Sequence, residues 1–298
     1  MGNDMKCGQI LKSTALLIVA GCANGPAQAP SACTIASAKR AIATEVRETS
    51  GLARSHAERE TLWTHNDSGN EPILYALATD GKIRTRIALR GVEVSDWEDI
   101  EGGSCGTEYC LYLADIGDNA GARRNVRIYE IVEPRLADRE ATARKVIYAT
   151  YPDGPQDAEA LFRLPDSTIF IITKGRQREI KVYRLSAAGA NDQSTLQLVR
   201  EIAPRARTEA DRVTAATASP DGNWVAFRSY STLFIYRTQD LLDGGPATIT
   251  HSLVPLAEKQ GESITLDNDG TIWLSSEAER EDDVPTLIGL RCALNPAN

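Results

Sequence analysis

The chain has 298 residues, 42% of them hydrophobic and 25% charged, with a formal net charge of −8. That length suits one large domain or two small ones. The acidic balance excludes nucleic acid as an expected partner, since a phosphate backbone calls for a basic face, and it leaves cation binding open.

The amino-terminal thirty residues read as a targeting segment rather than as part of the fold. Lys6 and Lys12 lead into the apolar "ALLIVAGC", and no acidic residue follows Asp4 until the mature chain. The run from Ala15 to Ala20 is too short to span a bilayer as a helix. "VAGC" resembles the lipobox of bacterial lipoprotein signal peptides, which implies cleavage before Cys22 and acylation of its thiol. Residues 1–21 are therefore expected to be a signal peptide and 22–32 a flexible, Pro-containing tether. Residues 33–298 are expected to form one domain outside the cytoplasm, in the bacterial cell envelope, touching the membrane only through the lipid. With Cys7 removed and Cys22 acylated, Cys33, Cys105, Cys110 and Cys292 remain, an even number that predicts two disulfides in an oxidising compartment. No C-x-x-C pair or suitably spaced His supports zinc.

Along the mature chain a frame recurs at roughly 50-residue intervals, the signature of a propeller blade. Ser50 stands in it in "TSGLA", Glu98 in "DWEDIE", Glu159 in "DAEALF", Thr214 in "RVTAATA" and Glu262 in "QGESIT". Each frame is followed by a second strand: "TLWTHND", "CLYLADIGDN", "TIFIITKG", "WVAFRSY" and "TIWLSSE". Third strands follow in "ILYALATD", "VRIYEIVEP", "IKVYRLSA", "TLFIYRTQ" and "TLIGLRCAL". Turn signals such as "SPDGN" and "DNDGT" separate these β-rich runs. The nearest helical pattern, "PRLADREATARK", is isolated. The prediction is an all-β fold, a β-propeller of five blades, with a sixth, degenerate blade or a β-sandwich as the alternatives. The last frame leaves too few residues for a whole blade, and the segment after Cys33 supplies the missing strand. This closure pairs Cys33 with Cys292, and it leaves Cys105 and Cys110 to bridge across one hairpin turn.

In a propeller the first strand of each blade lines the central channel and pairs antiparallel with the second. Starts of first strands and ends of second strands then meet at one channel mouth. Glu98, Glu159 and Glu262 are thus expected beside His65, Asn66 and Asp67, beside Asp115, Asp118 and Asn119, and beside Lys174, Arg228, Tyr230 and Glu277. Carboxylates crowded there must take up protons or hold a cation. Oxygen donors without Cys or spaced His suit a hard ion, Ca²⁺ before Mg²⁺, and Asp115, Asp118 and Asn119 add short donors. Lys174 and Arg228 read as equivalent positions in neighbouring blades. They either neutralise the carboxylates or, with a cation bound, receive a small anionic ligand. His65 is expected as a hydrogen-bonded rim residue or a general base. G-x-S-x-G, H-E-x-x-H and Walker patterns are absent, so no catalytic residue is assigned.

The set "THNDSG", "DWEDI", "ADIGDN", "YPDGPQDAEAL", "ITK" and "KQGESI" resembles a family of exported bacterial β-propeller lipoproteins, near the phytase-like and SdiA-regulated propellers. "SPDGNWVAFRS" also resembles the blade motif of TolB-type propellers. The resemblance implies Ca²⁺ ligation by Glu98, Glu159 and Glu262, with Asp115 or Asp118 contributing. It leaves two functions open. One is a lipid-anchored envelope propeller binding Ca²⁺ and an anionic ligand, or a protein or glycan partner, at the channel mouth. The other is a metal-dependent phosphoesterase, in which Lys174 and Arg228 would stabilise developing negative charge.

Overall fold

The computed structural model describes residues 32–185 and 193–294. The expected leader, the acylated Cys22 and all of the tether but Ala32 lie outside them. The amino-terminal strand is β1 (Cys33–Ala41). The first blade is β2 (Thr49–Arg54), β3 (Thr61–Asn66), β4 (Ile73–Ala78) and β5 (Ile83–Arg90). The second begins with β6 (Trp97–Cys105), β7 (Glu108–Asp115) and β8 (Val126–Val132). The chain then forms β9 (Glu140–Thr142), which pairs in parallel with β5, before β10 (Lys145–Thr150) completes the second blade. The third blade is β11 (Ala158–Arg163), β12 (Ile169–Thr173), β13 (Ile180–Leu185) and β14 (Gln193–Ala203). The fourth is β15 (Val213–Ala218), β16 (Trp224–Ser229), β17 (Thr232–Arg237) and β18 (Ile249–Ser252). The fifth is β19 (Gln260–Leu266), β20 (Thr271–Glu277) and β21 (Thr286–Cys292), completed by β1 on the outside.

The fold is therefore a five-bladed β-propeller, without a sixth blade among the described residues. Its innermost strands touch in the order β2, β6, β11, β15, β19 and back to β2, which closes the ring. Antiparallel pairing of β1 with β21 sets Cys33 opposite Cys292, and these two cysteines are disulfide-bonded. The second disulfide joins Cys105 to Cys110 across the β6–β7 turn. Between neighbouring blades lie five apolar clusters, one for each interface. That packing explains the hydrophobic patterning. Every residue of β3, β11, β12 and β15 is buried, because both faces of an inner strand meet a neighbouring blade. Outer β5 instead alternates, because one of its faces meets water.

The segment "PRLADREATARK" forms no helix; its central residues supply β9, where the unpaired edge of β5 offers backbone partners. A short helix, α1 (Thr238–Asp243), follows β17 and ends at Gly244 in the left-handed conformation. No helix among the described residues is long and apolar enough to cross a membrane.

Candidate functional site

The recurring frame has a backbone cause. In β6, β11, β15 and β19 the pairing register slips at Glu98, Glu159, Thr214 and Glu262, each left without a partner in the adjacent strand. In β2 the slip falls just after Ser50, across Gly51 and Leu52. Each is a β-bulge, which breaks strict alternation and re-aims a side chain. The hydroxyl members of the set stitch the ring together. Ser50 Oγ donates to the Glu98 carbonyl, and Thr214 Oγ1 donates to the Gly261 carbonyl at 2.8 Å.

The glutamates do converge. Glu98, Glu159 and Glu262 are all buried. Lys174 Nζ is ion-paired with Glu159, and its charge also acts on Glu98, Glu262, Glu277 and Asp67. Tyr230 donates its hydroxyl to Glu262 Oε1 at 2.9 Å, and Gln260 Nε2 donates to the same oxygen at 2.8 Å. Among the mouth residues expected from the sequence, Asp67, Lys174, Tyr230 and Glu277 thus join the glutamates.

One group of carboxylates can hold a metal. Ligand oxygens of Asp67, Asp96 and Glu98 lie within 4.8 Å of one another. Glu98 is only 6% exposed, yet its carboxylate accepts no hydrogen bond from the described residues. Burial raises its pKa well above the ordinary value, and the charges of Asp67, Asp96 and Glu262 push it further. Burial likewise raises Asp67 and Asp96, which repel each other, with Asp157 adding to the repulsion on Asp96. Asp157 Oδ2 is itself buried without a donor. Gly117 leaves room for the group: a β-carbon there would stand 2.1 Å from Glu98 Oε1 and 2.6 Å from Asp96 Oδ2. Ser68 donates to Asp67 through its backbone N–H and to Asp96 through its side chain, while Glu98 is left without a donor. Clustered carboxylate oxygens of this kind have the chemistry of a hard-cation site.

Asp96 and Asp157 were not expected as site residues, although a signal was present. Each stands two residues before a bulged glutamate, as Gln260 does before Glu262 and Glu48 before Ser50. Glu48 also raises the pKa of Asp67 and of Glu277. Burial pushes Glu277 up to about 9, with Glu262 the largest of the charges that add to it.

The remaining expected residues lie elsewhere, and strand register explains most of them. Asp67, Lys174, Tyr230 and Glu277 each follow or end a second strand, opposite the position two residues before the bulge. In the second blade that place belongs to Ile116. Asp115, one residue earlier, turns to the other side. It is fully buried between Arg123 and Arg127 and accepts the backbone N–H of Asp96 at 2.9 Å. Asp118 accepts the N–H groups of Ala122 and Arg123, and Asn119 accepts Arg176. All three therefore have protein hydrogen-bond or ion-pair partners. Asn66 is likewise one residue short of the rim, donating to the Glu45 carbonyl at 2.9 Å.

Arg228 is opposite Ala215, two residues before Tyr230, so Tyr230 and not Arg228 is the counterpart of Lys174. Its guanidinium is fully buried in an ion pair with Glu258, 2.6 Å from Nη2 to Oε2. It cannot receive an anion without breaking that pair. His65 is also fully buried, stacked on Trp97 with ring centroids 4.4 Å apart. Burial lowers its pKa to about 4, against the opposing pull of the Asn66 and Asp99 backbone, so the ring is neutral at pH 7. It is a core residue rather than a rim residue.

Beside the carboxylates a cavity of about 580 Å³ opens on the same face, with Lys174, Arg176, Arg212, Lys259, Tyr230 and Gln260 in its wall. Below the carboxylates the channel is crossed by Asp99. Its Oδ2 accepts the N–H of Leu161 at 2.8 Å and that of Ala216 at 3.3 Å, tying three inner strands together.

No protein-family model matches the sequence, and no curated protein matches it. Among solved structures the chain is similar to the PQQ-bound aldose sugar dehydrogenase of Streptomyces coelicolor, at 11% identity and a TM-score of 0.53. That match covers 88% of this chain and 98% of that one. It is also similar to virginiamycin B lyase of Staphylococcus aureus, at 13% identity and a TM-score of 0.44, over 88% and 100% of the two chains. A third match is the Swd1 β-propeller domain of Myceliophteria thermophila, at 10% identity and a TM-score of 0.40, over 81% and 83%. Identities this low bear on the fold alone.

Proposed function

We propose that this propeller is a cell-envelope binding protein whose channel mouth holds one hard divalent cation, Ca²⁺ in the first place, and an anionic ligand beside it. The observation that carries the reading is the group Asp67, Asp96 and Glu98, in which a buried carboxylate has no hydrogen-bond donor. A divalent ion would favour the ionised carboxylates against the burial, and the mutual repulsion, that raise all three pKa values. The wall of the adjoining cavity carries Lys174, Arg176, Arg212 and Lys259 against Glu209 and Glu279, a positive balance that favours an anionic ligand. Unlike the sealed Arg228–Glu258 pair, these cations line the cavity and can reach a ligand in it. Membrane attachment through Cys22 rests on the leader sequence, and two disulfides suit the oxidising compartment to which such a leader directs a chain.

Calcium titration by calorimetry tests the cation site. The protein is expected to bind Ca²⁺ with a stoichiometry near one, and Glu98→Gln to weaken binding about tenfold, or about 1.4 kcal/mol. Equal affinity in the two proteins would remove Glu98 from the site.

The same cavity favours a second reading, metal-dependent phosphoester hydrolysis. Bound Ca²⁺ would supply Lewis acidity. Lys174 and Arg212 would bind and orient the phosphate, and Tyr230 and Gln260 would hold Glu262 in place. Chelator-sensitive phosphate release from a generic phosphomonoester would favour this reading over simple binding.

A further inference from the structure

We propose that the opposite, lower mouth of the channel is a second binding site, for a small organic carboxylate of about acetate to pyruvate size. A cavity of about 110 Å³ lies there, lined by Arg54 of the first blade, Glu101 and Tyr109 of the second, Arg163 of the third, Thr217 of the fourth and Thr265 of the fifth. The Asp99 hydrogen bonds cross the channel between the two mouths, so this space is separate from the carboxylate cluster.

The local sequence builds the site. "EGGS" places Gly102 and Gly103 in its wall. A β-carbon at Gly102 would stand 2.6 Å from the Tyr109 hydroxyl, and one at Gly103 would stand 2.1 Å from Arg163 Nη1. The two glycines therefore let a phenol and a guanidinium lie across the strand. Arg163 is 5% exposed and held by Ser167 Oγ, 2.7 Å from Nη2, with its guanidinium 4.7 Å from the Tyr112 ring centroid. Its Nε is buried without a partner.

The unmet hydrogen-bonding capacity is on the donor side. Arg163 Nε is buried without an acceptor, and half-buried Tyr109 adds a hydroxyl donor in the cavity wall. The acceptors are already engaged. Glu101 Oε1 takes the N–H of Gly102 at 2.9 Å and Oε2 that of Ala218 at 3.1 Å, while Asp267 is 2.8 Å from Arg54 Nη1. Burial also pushes the Glu101 carboxyl up to about 7, which softens its repulsion of an anion near neutral pH. Arg163 Nη2 is engaged by the Ser104 carbonyl and Ser167, and Arg54 Nη1 by Asp267. The remaining guanidinium N–H groups and the Tyr109 phenol are therefore the donors for a carboxylate, and the volume matches that of about four waters.

Calorimetric titration with pyruvate, in chelator, tests the proposal on the protein and on Tyr109→Phe, Arg54→Gln and, as a control at an exposed cation outside both cavities, Arg135→Gln. The expected result is saturable binding, weakened about tenfold by either of the first two substitutions and unchanged by the third. Methylammonium, of similar size and opposite charge, is expected not to bind. Absence of saturable pyruvate binding, affinity indifferent to Tyr109 and Arg54, or an equal loss with Arg135→Gln would each overturn it. Circular dichroism of each variant separates a lost contact from a lost fold.

Discussion

Glu277 and Glu98 are carboxyls held out of water with a single ammonium, that of Lys174, acting on both. Their state sets a testable pH dependence. Glu277 has an ordinary value of 4.5 and titrates at about 9 in the fold, so the folded protein holds this proton more tightly than the unfolded chain. The stability it contributes is full below the unfolded value and is lost as pH rises through the folded one. In chelator, the thermal midpoint is therefore expected to fall between about pH 5 and 9, and to fall less in Glu277→Gln. Ca²⁺ favours the ionised carboxylates, so saturating calcium is expected to flatten the same profile. A midpoint indifferent to pH over that window, with chelator present, would contradict the burial of unneutralised carboxyls. Arg228 shows the opposite arrangement at the residue scale: its charge is matched by Glu258 inside the fold, which removes it from ligand binding.

At the scale of elements, the bulged inner strand is the unit that matters. Its recurrence was legible because Glu98, Glu159 and Glu262 sit in similar local sequence, and strand patterning located the second and third strands of every blade. Side-chain direction was not legible, because a one-residue step along a strand reverses it and register depends on the partner strand. That is why Asp115 replaced Ile116 in the expected rim, and why Arg228 was matched to Lys174. The acidic residue two places before the glutamate, Asp96 or Asp157, lay inside the same motifs but shows its role only once the bulge is known. Asp99 belongs to this scale too, since "DWEDIE" carries both the rim and the lock beneath it. Asp99→Ala would leave the N–H groups of Ile100, Leu161 and Ala216 without their acceptor. The expected loss is about 3 kcal/mol or more by urea unfolding, with roughly half of that for Asp99→Asn, which keeps one carbonyl. A loss below about 1 kcal/mol for Asp99→Ala would mean the three strands hold together without it.

For the whole molecule, closure of the ring makes a site out of residues scattered along the chain. β1 completes the fifth blade, the Cys33–Cys292 disulfide fastens it, and five apolar interfaces set the blades around one axis. The axis then has two chemically distinct ends, acidic at the upper mouth and rich in hydrogen-bond donors at the lower, divided by Asp99. The most direct test of the upper site is anomalous diffraction from crystals grown with Ca²⁺. A single strong peak is expected at that mouth, about 2.3–2.6 Å from carboxylate oxygens of Asp67, Asp96 and Glu98. A peak at Asp115 and Asp118 instead, or a channel mouth without one at saturating calcium, would contradict it.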